Sequence, residues 1–351
     1  MPISTVSNAS FADTAVHGRR NLIINGAMQV AQRGTSGTST ADIYTMDRFA
    51  LGHGSPVNAM SWEQSTDAPD NFKYSMKITA GTGASASTTG YGALRQAIEG
   101  VNMAHLGFGT SAAKDIILSF WVKCSLTGTF GVSVRNQAGN RAYGNTYIIN
   151  SANTWEYKTV SIPADTSGTW PTDNGIGLMA TWDLGAGSNY DIPAGAWTNG
   201  SNMFGVESTV KLTETTGATF YITGIQLELG SQATPFEHRS YGEELALCKR
   251  YYQTYQACGQ EWIYNESNTY NHKWWFCYIE TRMRATPTVT DDGGFSGGTA
   301  GGGTVSGIGV QGISKDRISF RVTFSGSFGN AFSVYHTDSF DQNQVFMDAE
   351  L

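Results

Sequence analysis

The chain has 351 residues, a formal net charge of −7, 15% charged residues, 12% aromatics and 42 glycines. The acidic balance excludes nucleic acid as a partner, because binding phosphates needs a concentrated excess of Lys and Arg. No apolar run approaches the ~20 residues that span a bilayer, and the first twenty residues lack the apolar core of a secretory signal, which predicts folding in a cytoplasm without membrane insertion.

Residues 1–20 are polar and without period, as expected of a segment that orders on another protein. Leu22-Ile23-Ile24 reads as a short buried strand, Asn25-Gly26 as a turn, and residues 28–32 alternate. Short strands bounded by Gly, Asn, Asp or Ser then follow at 48–51, 57–63, 73–79, 91–98, 116–123, 130–136, 147–150, 156–162, 176–182 and 218–229. This spacing, with no helix-period segment between, predicts an all-β antiparallel jelly-roll sandwich over residues 21–235. The apolar run Ser119-Phe120-Trp121-Val122-Lys123 is expected at its centre, and pairing of the strands near Leu22 and Leu229 is expected to close it.

The stretch 183–204 is too long for a simple connection and holds Tyr190, Asp191, Trp197, Asn199 and Asn202. An aromatic ring stacks on the C–H face of a pyranose while Asn or Asp serves its hydroxyls, so these five are candidate glycan ligands. The competing expectation is that the aromatics cap one end of the sandwich.

After 219–229, Gly230 to Pro235 ends the strand, since Pro235 cannot donate to a ladder. In Pro235-Phe236-Glu237-His238-Arg239, neighbours on an extended segment point in opposite directions, so a structural ion pair of Glu237 or Arg239, with Phe236 as a plug, is expected rather than a catalytic group. Ser240 and Glu243 stand at capping-box spacing, and Leu245, Cys248, Tyr252 and Tyr255 follow at helical steps. A short linker helix is thus predicted over 240–256 within a linker at 236–256.

Residues 257–351 are expected to form a smaller C-terminal β domain. Its strand at 273–279 carries Trp274, Trp275, Phe276 and Tyr278, which cannot all face inward. Trp274 and Trp275, with Tyr251 and Tyr252, are therefore candidates for a subunit interface. The glycine-rich segment 291–312 is expected to form flexible loops. The four cysteines read as buried free thiols, without C-x2-C pairs, and no two of the six histidines sit at metal-ligand spacing. No motif nominates a carboxylate pair, so catalytic residues, metal ligands and cofactors are all expected to be none.

Asn21 to Gly26 with Gln32-Arg33-Gly34, Asp47-Arg48-Phe49, Ser119 to Lys123 and Thr154-Trp155-Glu156-Tyr157 together resemble a family of tailed-bacteriophage virion proteins. The most specific part runs from Gly224-Ile225-Gln226-Leu227-Glu228 through Thr234-Pro235-Phe236-Glu237-His238-Arg239-Ser240-Tyr241 to Cys248-Lys249-Arg250-Tyr251-Tyr252. The ending Asp348-Ala349-Glu350-Leu351 is similar too. The resemblance covers residues 18–255 well and the remainder loosely.

It implies a galactose-binding-type, carbohydrate-binding-module-like jelly roll in a virion tail fibre or appendage that contributes to host-surface glycan recognition. The alternatives are a capsid decoration or head fibre and, behind it, a polysaccharide depolymerase. A short segment before Arg19 favours a short appendage or an adaptor-bound tip over a long fibre. Symmetric virion appendages are commonly trimers, which predicts a homotrimer attached to other virion proteins through residues 1–20. Deleting residues 1–18 is expected to leave the melting temperature unchanged and to abolish incorporation into particles, as read by immunoblot of purified virions.

Overall fold

Alternation of apolar and polar side chains along short strands carries the first part of the molecule, as the burial pattern of Ser75–Ala80 shows: Met76, Ile78 and Ala80 face in, Lys77 and Thr79 face out. The structure, a computed structural model, describes the backbone of residues 19–85, 87–256, 261–264, 272–278, 281–291, 295–299, 304–313, 317–325, 331–336 and 344–351, and the side chains of 19–85, 87–254, 281–290 and 346–351. The attachment segment predicted at 1–20 lies outside these residues except for Arg19 and Arg20. The chain divides into two compact units, Met1–Glu244 with Leu351, and Leu245–Glu350.

The strands of the first unit are β1 (Ser36–Ser39), β2 (Ile43–Tyr44), β3 (Ala50–Gly54), β4 (Met60–Ser65), β5 (Ser75–Ala80), β6 (Tyr91–Glu99), β7 (Ile116–Cys124), β8 (Gly128–Arg135), β9 (Arg141–Ile149), β10 (Glu156–Ile162), β11 (Ile176–Asp183), β12 (Asp191–Ile192), β13 (Trp197–Asn199), β14 (Gly205–Val206) and β15 (Thr219–Leu229). A short helix, α1 (Gly100–Met103), follows β6. Two antiparallel sheets form the sandwich, one ordered β1-β4-β5-β15-β7-β10 and the other β13-β9-β8-β11-β6-β3-β2. The predicted all-β antiparallel jelly roll is the fold.

Between the sheets lies one apolar core in which Phe120, Phe130, Phe220, Trp182, Leu118, Leu94 and Ile222 are fully buried. Each such side chain contributes roughly 1.5–3 kcal/mol. The run at 119–123 sits on β7, one strand from the sheet edge rather than at its centre. The strand expected at 48–51 begins only at Ala50, because Arg48 is in a left-handed conformation, φ 71°, that no strand accepts.

Leu22-Ile23-Ile24 does not join a ladder, and the reason lies in β15. Gly224 has φ 61° and the register with β7 shifts between Thr223 and Gln226, so β15 bulges. β5 pairs with it only over Thr219–Ile222. Beyond the bulge residues 21–26 take over: the Leu22 amide donates to Leu227 O at 2.8 Å, and the Ile225 amide donates to Gly26 O at 3.0 Å. The Asn21 side chain fills the remaining places, donating from Nδ2 to Ile225 O (3.0 Å) and accepting the Leu227 amide (3.1 Å). Gln96, in the core face of β6, bonds both backbone groups of Ile24. A Cβ on Gly26 would collide with the Ile225 carbonyl oxygen, so only glycine admits this approach.

The segment after β15 locks the seam. Glu228, fully buried, accepts from the Thr234 amide (2.8 Å) and hydroxyl (2.6 Å) and pairs with Arg20 (3.1 Å). Glu237 accepts the Asn21 amide at 2.8 Å and pairs with Arg239 at 2.9 Å, while Arg239 donates to Asn21 O (2.6 Å) and Ile23 O (3.1 Å). The expected structural ion pair is therefore present. Phe236 is half-buried and packs on Phe72 rather than plugging the core.

Helix α2 (Tyr241–Lys249) starts at the expected capping box, with the Ser240 amide donating to Glu243 at 2.9 Å and the Glu243 amide donating back to Ser240 Oγ at 3.3 Å. It ends seven residues before the predicted 256, because Tyr252 and Tyr255 belong to β16 (Tyr252–Gln256), whose backbone pairs with β24 (Gln344–Asp348).

The second unit contains further antiparallel strands: β17 (Glu261–Tyr264), β18 (His272–Tyr278), β19 (Thr288–Asp291), β20 (Phe295–Thr299), β21 (Thr304–Ile313), β22 (Arg317–Ser325) and β23 (Ala331–His336). They form three-stranded sheets β16-β24-β19, β17-β23-β20 and β18-β22-β21. The glycine-rich segment thus supplies β20 and β21 instead of loops alone. Trp274 and Trp275 lie on β18, and their side chains are outside the described residues. Tyr251 and Tyr252, the other two residues of the predicted interface, are 0% and 5% exposed within the chain.

Burial pushes the Glu237 carboxyl up, but the Asn21 amide and the Arg239 guanidinium outweigh it and hold it below the usual 4.5. A carboxyl lowered on folding adds stability above its unfolded value and loses it as pH falls through the folded one. Acid melting should therefore begin below about pH 4.5 in the native chain and be flatter in Glu237→Gln. Arg239→Met is expected to cost about 3 kcal/mol or more by leaving Glu237 and two carbonyls without their donor, as read by urea denaturation.

Candidate functional site

The long stretch after β11 is an excursion with its own short strands: β12 and β14 pair with each other on the outer face of the seven-stranded sheet, and β13 joins that sheet at its edge beside β9. Its anchor is Asp183, which is fully buried. Asp183 accepts the amides of Gly185 (2.9 Å), Ala186 (2.7 Å) and Val206 (3.1 Å) and pairs with Lys211 at 2.9 Å. Asp191 shares that lysine at 3.3 Å; burial raises its carboxyl above the usual value, with the Lys211 charge opposing and the Asp183 charge adding.

The excursion separates the five predicted glycan ligands. Tyr190 stacks on Phe204 at 4.7 Å, meets Tyr91 edge-on at 5.4 Å and donates to Thr89 O at 3.0 Å. Asp191 is committed to Lys211. Trp197 sits on edge strand β13 against Phe108, Trp170 and Tyr143, and its indole N–H donates to Pro163 O at 3.1 Å. Asn199 accepts from Arg141 at 3.2 Å, and that guanidinium lies over the Trp197 ring and pairs with buried Asp165. Asn202 is exposed with φ 52° at the turn before β14. Tyr190 and Trp197 belong to different aromatic clusters, and both rings are half-buried.

The more continuous surface is the solvent face of the six-stranded sheet, built by register. Ser36, Glu63, Lys77, Tyr221 and Lys123 are direct cross-strand neighbours on β1, β4, β5, β15 and β7, and Trp155, one residue before β10, extends the row. Glu63 pairs with Lys77 at 2.8 Å. Lys123 is held by Asp67, with its Nζ 4.2 Å from the Tyr221 ring centre and 5.3 Å from that of Trp155. The Trp155 N–H also donates to Asp67 at 3.1 Å. These contacts fix both rings before any ligand arrives.

A second row holds Thr223, Trp121 and Tyr157, the last two in ring contact at 5.4 Å. Because Gly224 has no side chain, Phe72 lies over it, and Phe236 and His238 continue the aromatic strip. At the other end a polar hollow of about 260 Å³ is lined by Ser36, Thr38, Ser61, Glu63, Lys77 and Thr79.

This face has aromatic platforms, fixed charges and hydroxyls, which is what a ligand with C–H faces and many hydroxyls requires. Two of its carboxylates are held below their usual values. Asp67 is held below its usual value, first by the Lys123 hydrogen bond. Glu156 at the sheet edge is pushed up by burial, but Lys158 and backbone amides bring it down to about 2. Among the described residues no group of His, Cys, Asp and Glu could hold a metal ion. Sequence reasoning missed the face because the signal is spread over six strands; Trp121 and Tyr221 alternate with core residues, and only pairing sets them side by side.

No family model matches the chain, and no curated protein matches it. Similar solved structures include the enzymatically active domain of Bacteriophage CBA120 tailspike protein 4, at 14% identity and TM-score 0.32 over 60% of this chain and 21% of that one. The family 11 carbohydrate-binding module from Clostridium thermocellum in complex with a β-1,3-1,4-mixed-linked tetrasaccharide matches at 14% identity and TM-score 0.28, over 58% of this chain and 98% of that one. TmCBM61 in complex with β-1,4-galactotriose matches at 10% identity and TM-score 0.29, over 61% and 100%. The chain spans only about a fifth of the tailspike structure. None of these likenesses assigns it a ligand or an activity.

Trp197→Ala is expected to lower stability by about 2 kcal/mol, less than the ~3–5 kcal/mol of a fully buried tryptophan, because the ring caps the Phe108–Trp170 cluster while keeping one face in water. Urea denaturation of the variant checks this.

Proposed function

We propose that this chain is a tailed-bacteriophage virion appendage whose first unit recognises host-surface glycan on the solvent face of the six-stranded sheet. The row Glu63, Lys77, Tyr221, Lys123 and Trp155 carries the proposal. Rings held at van der Waals height by a caged lysine accept the C–H face of a sugar, and the flanking carboxylates and hydroxyls accept and donate to its hydroxyl groups. An open sheet face suits an extended saccharide chain and gives weak single-site binding. In a homotrimer anchored by residues 1–20 such sites gain from effective concentration. The virion placement, the trimer and the attachment segment are supported by the sequence resemblance alone.

The proposal includes no catalytic role. Glycoside cleavage needs a carboxylic acid kept protonated beside a second carboxylate. Asp67 and Glu156 of this face sit against Lys123 and Lys158, which favours their charged forms. A second reading, a capsid decoration or head fibre, is favoured by the apolar strip Trp121, Tyr157, Phe72 and Phe236, which would serve equally as a protein contact.

Tyr221→Ala and Trp121→Ala, assayed on arrayed bacterial-surface glycans and on host cells, should each weaken binding about tenfold, or about 1.4 kcal/mol, with the fold retained. Glycan binding that survives both variants and falls in Trp197→Ala would move the site to the excursion. No glycan binding, together with loss of capsid attachment in Trp121→Ala, would replace the proposal with the decoration role.

A further inference from the structure

The outer face of the seven-stranded sheet presents a charge that its surroundings do not balance. Arg95 on β6 and Arg135 on β8 both point outward and flank β11, two inter-strand spacings apart and offset by two residues along it, or ~12 Å at the backbone. Register sets Arg95 beside Thr181 and Arg135 beside Met179. Arg95 pairs with Asp42, which also accepts the Tyr91 hydroxyl (3.1 Å) and the His53 amide (2.8 Å).

Among the described residues Arg135 has no such partner. Its guanidinium lies on the Phe204 ring, 6.0 Å from the centre, and among those residues donates only to the sulfur of Met179 at 3.5 Å. Its Nε is buried and meets no acceptor among the described residues, and the same holds for the hydroxyl of Thr181. A half-buried cation without a counter-charge is costly, and a second arginine adds to the cost. Burial and then the Arg95 charge lower the Arg135 pKa from its usual value, with the Tyr91 hydroxyl as the compensating group.

Next to these groups is a cavity of about 280 Å³ lined by Asp42, Tyr44, Arg95, Ala97 and Met179, with Leu351 of the same unit also on its wall. Arg33 lies over the Tyr44 ring at 5.1 Å. The lining is mostly apolar, with one ring, Tyr44, and one charged pair, Asp42 and Arg95, and the unmet Arg135 Nε beside it is a hydrogen-bond donor.

We propose that Arg135 and Arg95 form an oxyanion site on this face that takes the carboxylate of an acidic sugar. A monoanion fits better than a dianion because Asp42 stands in the same group. The apolar floor of Ala97 and Met179 suits a sugar ring, and planar guanidinium forks match a carboxylate. The sugar part of the proposal rests on the chain's being a glycan binder; the anion part does not.

Calorimetric titration of the full chain with D-glucuronate, D-glucose and inorganic sulfate tests it. Saturable binding of glucuronate in preference to glucose and sulfate is expected, with a rise in melting temperature on addition of glucuronate. Arg135→Met, which keeps the packed stem, should weaken glucuronate at least tenfold, and Arg95→Met should do the same; Trp121→Ala should leave it unchanged. If Arg135→Met fails to fold, Arg135→Lys and Arg95→Met carry the comparison. Equal binding of glucuronate and glucose, sulfate binding as well as glucuronate, no saturable glucuronate binding, or binding unchanged in the arginine variants would overturn the site. Loss of neutral-glycan binding in Trp121→Ala reports separately on the opposite sheet.

Discussion

The seam between residues 21–26 and the second half of β15 is the constraint on which the sandwich depends. A bulge at Gly224 takes β15 out of register with β5 and would leave a row of buried amides and carbonyls beside it. The irregular segment after Arg20 meets them with main-chain and Asn21 contacts, and Gln96 meets the far side of that segment. Two carboxylates, buried Glu228 and half-buried Glu237, then tie the corner back through Arg20 and Arg239. A buried charge is tolerated only when paired and hydrogen-bonded, so these groups stand or fall together. The bulge has a second consequence: the bare backbone at Gly224 lets Phe72 and Trp121 lie flat over the sheet, which makes the aromatic strip continuous.

The two outer faces of the sandwich differ in kind. On the six-stranded sheet cross-strand register sets rings beside cations, and Phe72 lies over Gly224. On the seven-stranded sheet the excursion after Asp183 covers one half, placing Phe204 and Tyr190 above Ala93 and Tyr91, and leaves the other half around Asp42, Arg95 and Met179 open. One sandwich thus offers a neutral, ring-lined surface and a cationic one, and Lys123 and Arg135 mark the contrast. The lysine is satisfied by Asp67 and two rings, while the arginine reaches only a ring and a thioether.

How much of the site was legible follows from distance along the chain. Glu237 and Arg239 are two residues apart in an extended segment with no periodic neighbour, and reading them as a structural pair needed only local geometry. The capping box of Ser240 and Glu243 was legible for the same reason. Trp197 and Tyr190, seven residues apart in one loop, read as one site, yet β13 carries Trp197 to the edge beside Tyr143 while Tyr190 turns back to Tyr91. Tyr252 fits a helical face by spacing, but the ladder with β24 claims it, since pairing the backbone with a distant strand outweighs a weak local preference.

Alternation of core and surface residues, turn formers at short intervals and the absence of helix-period segments were enough to determine an all-β antiparallel sandwich, because burial of one strand face imposes period two wherever it occurs. Which outward residues meet was decided only by the tertiary structure. Strand order and register bring Lys77, Tyr221 and Lys123 together from β5, β15 and β7, and Arg95 and Arg135 together across β11. Those neighbours are tens of residues apart in the chain, and lateral pairing leaves no trace in the spacing along any single strand.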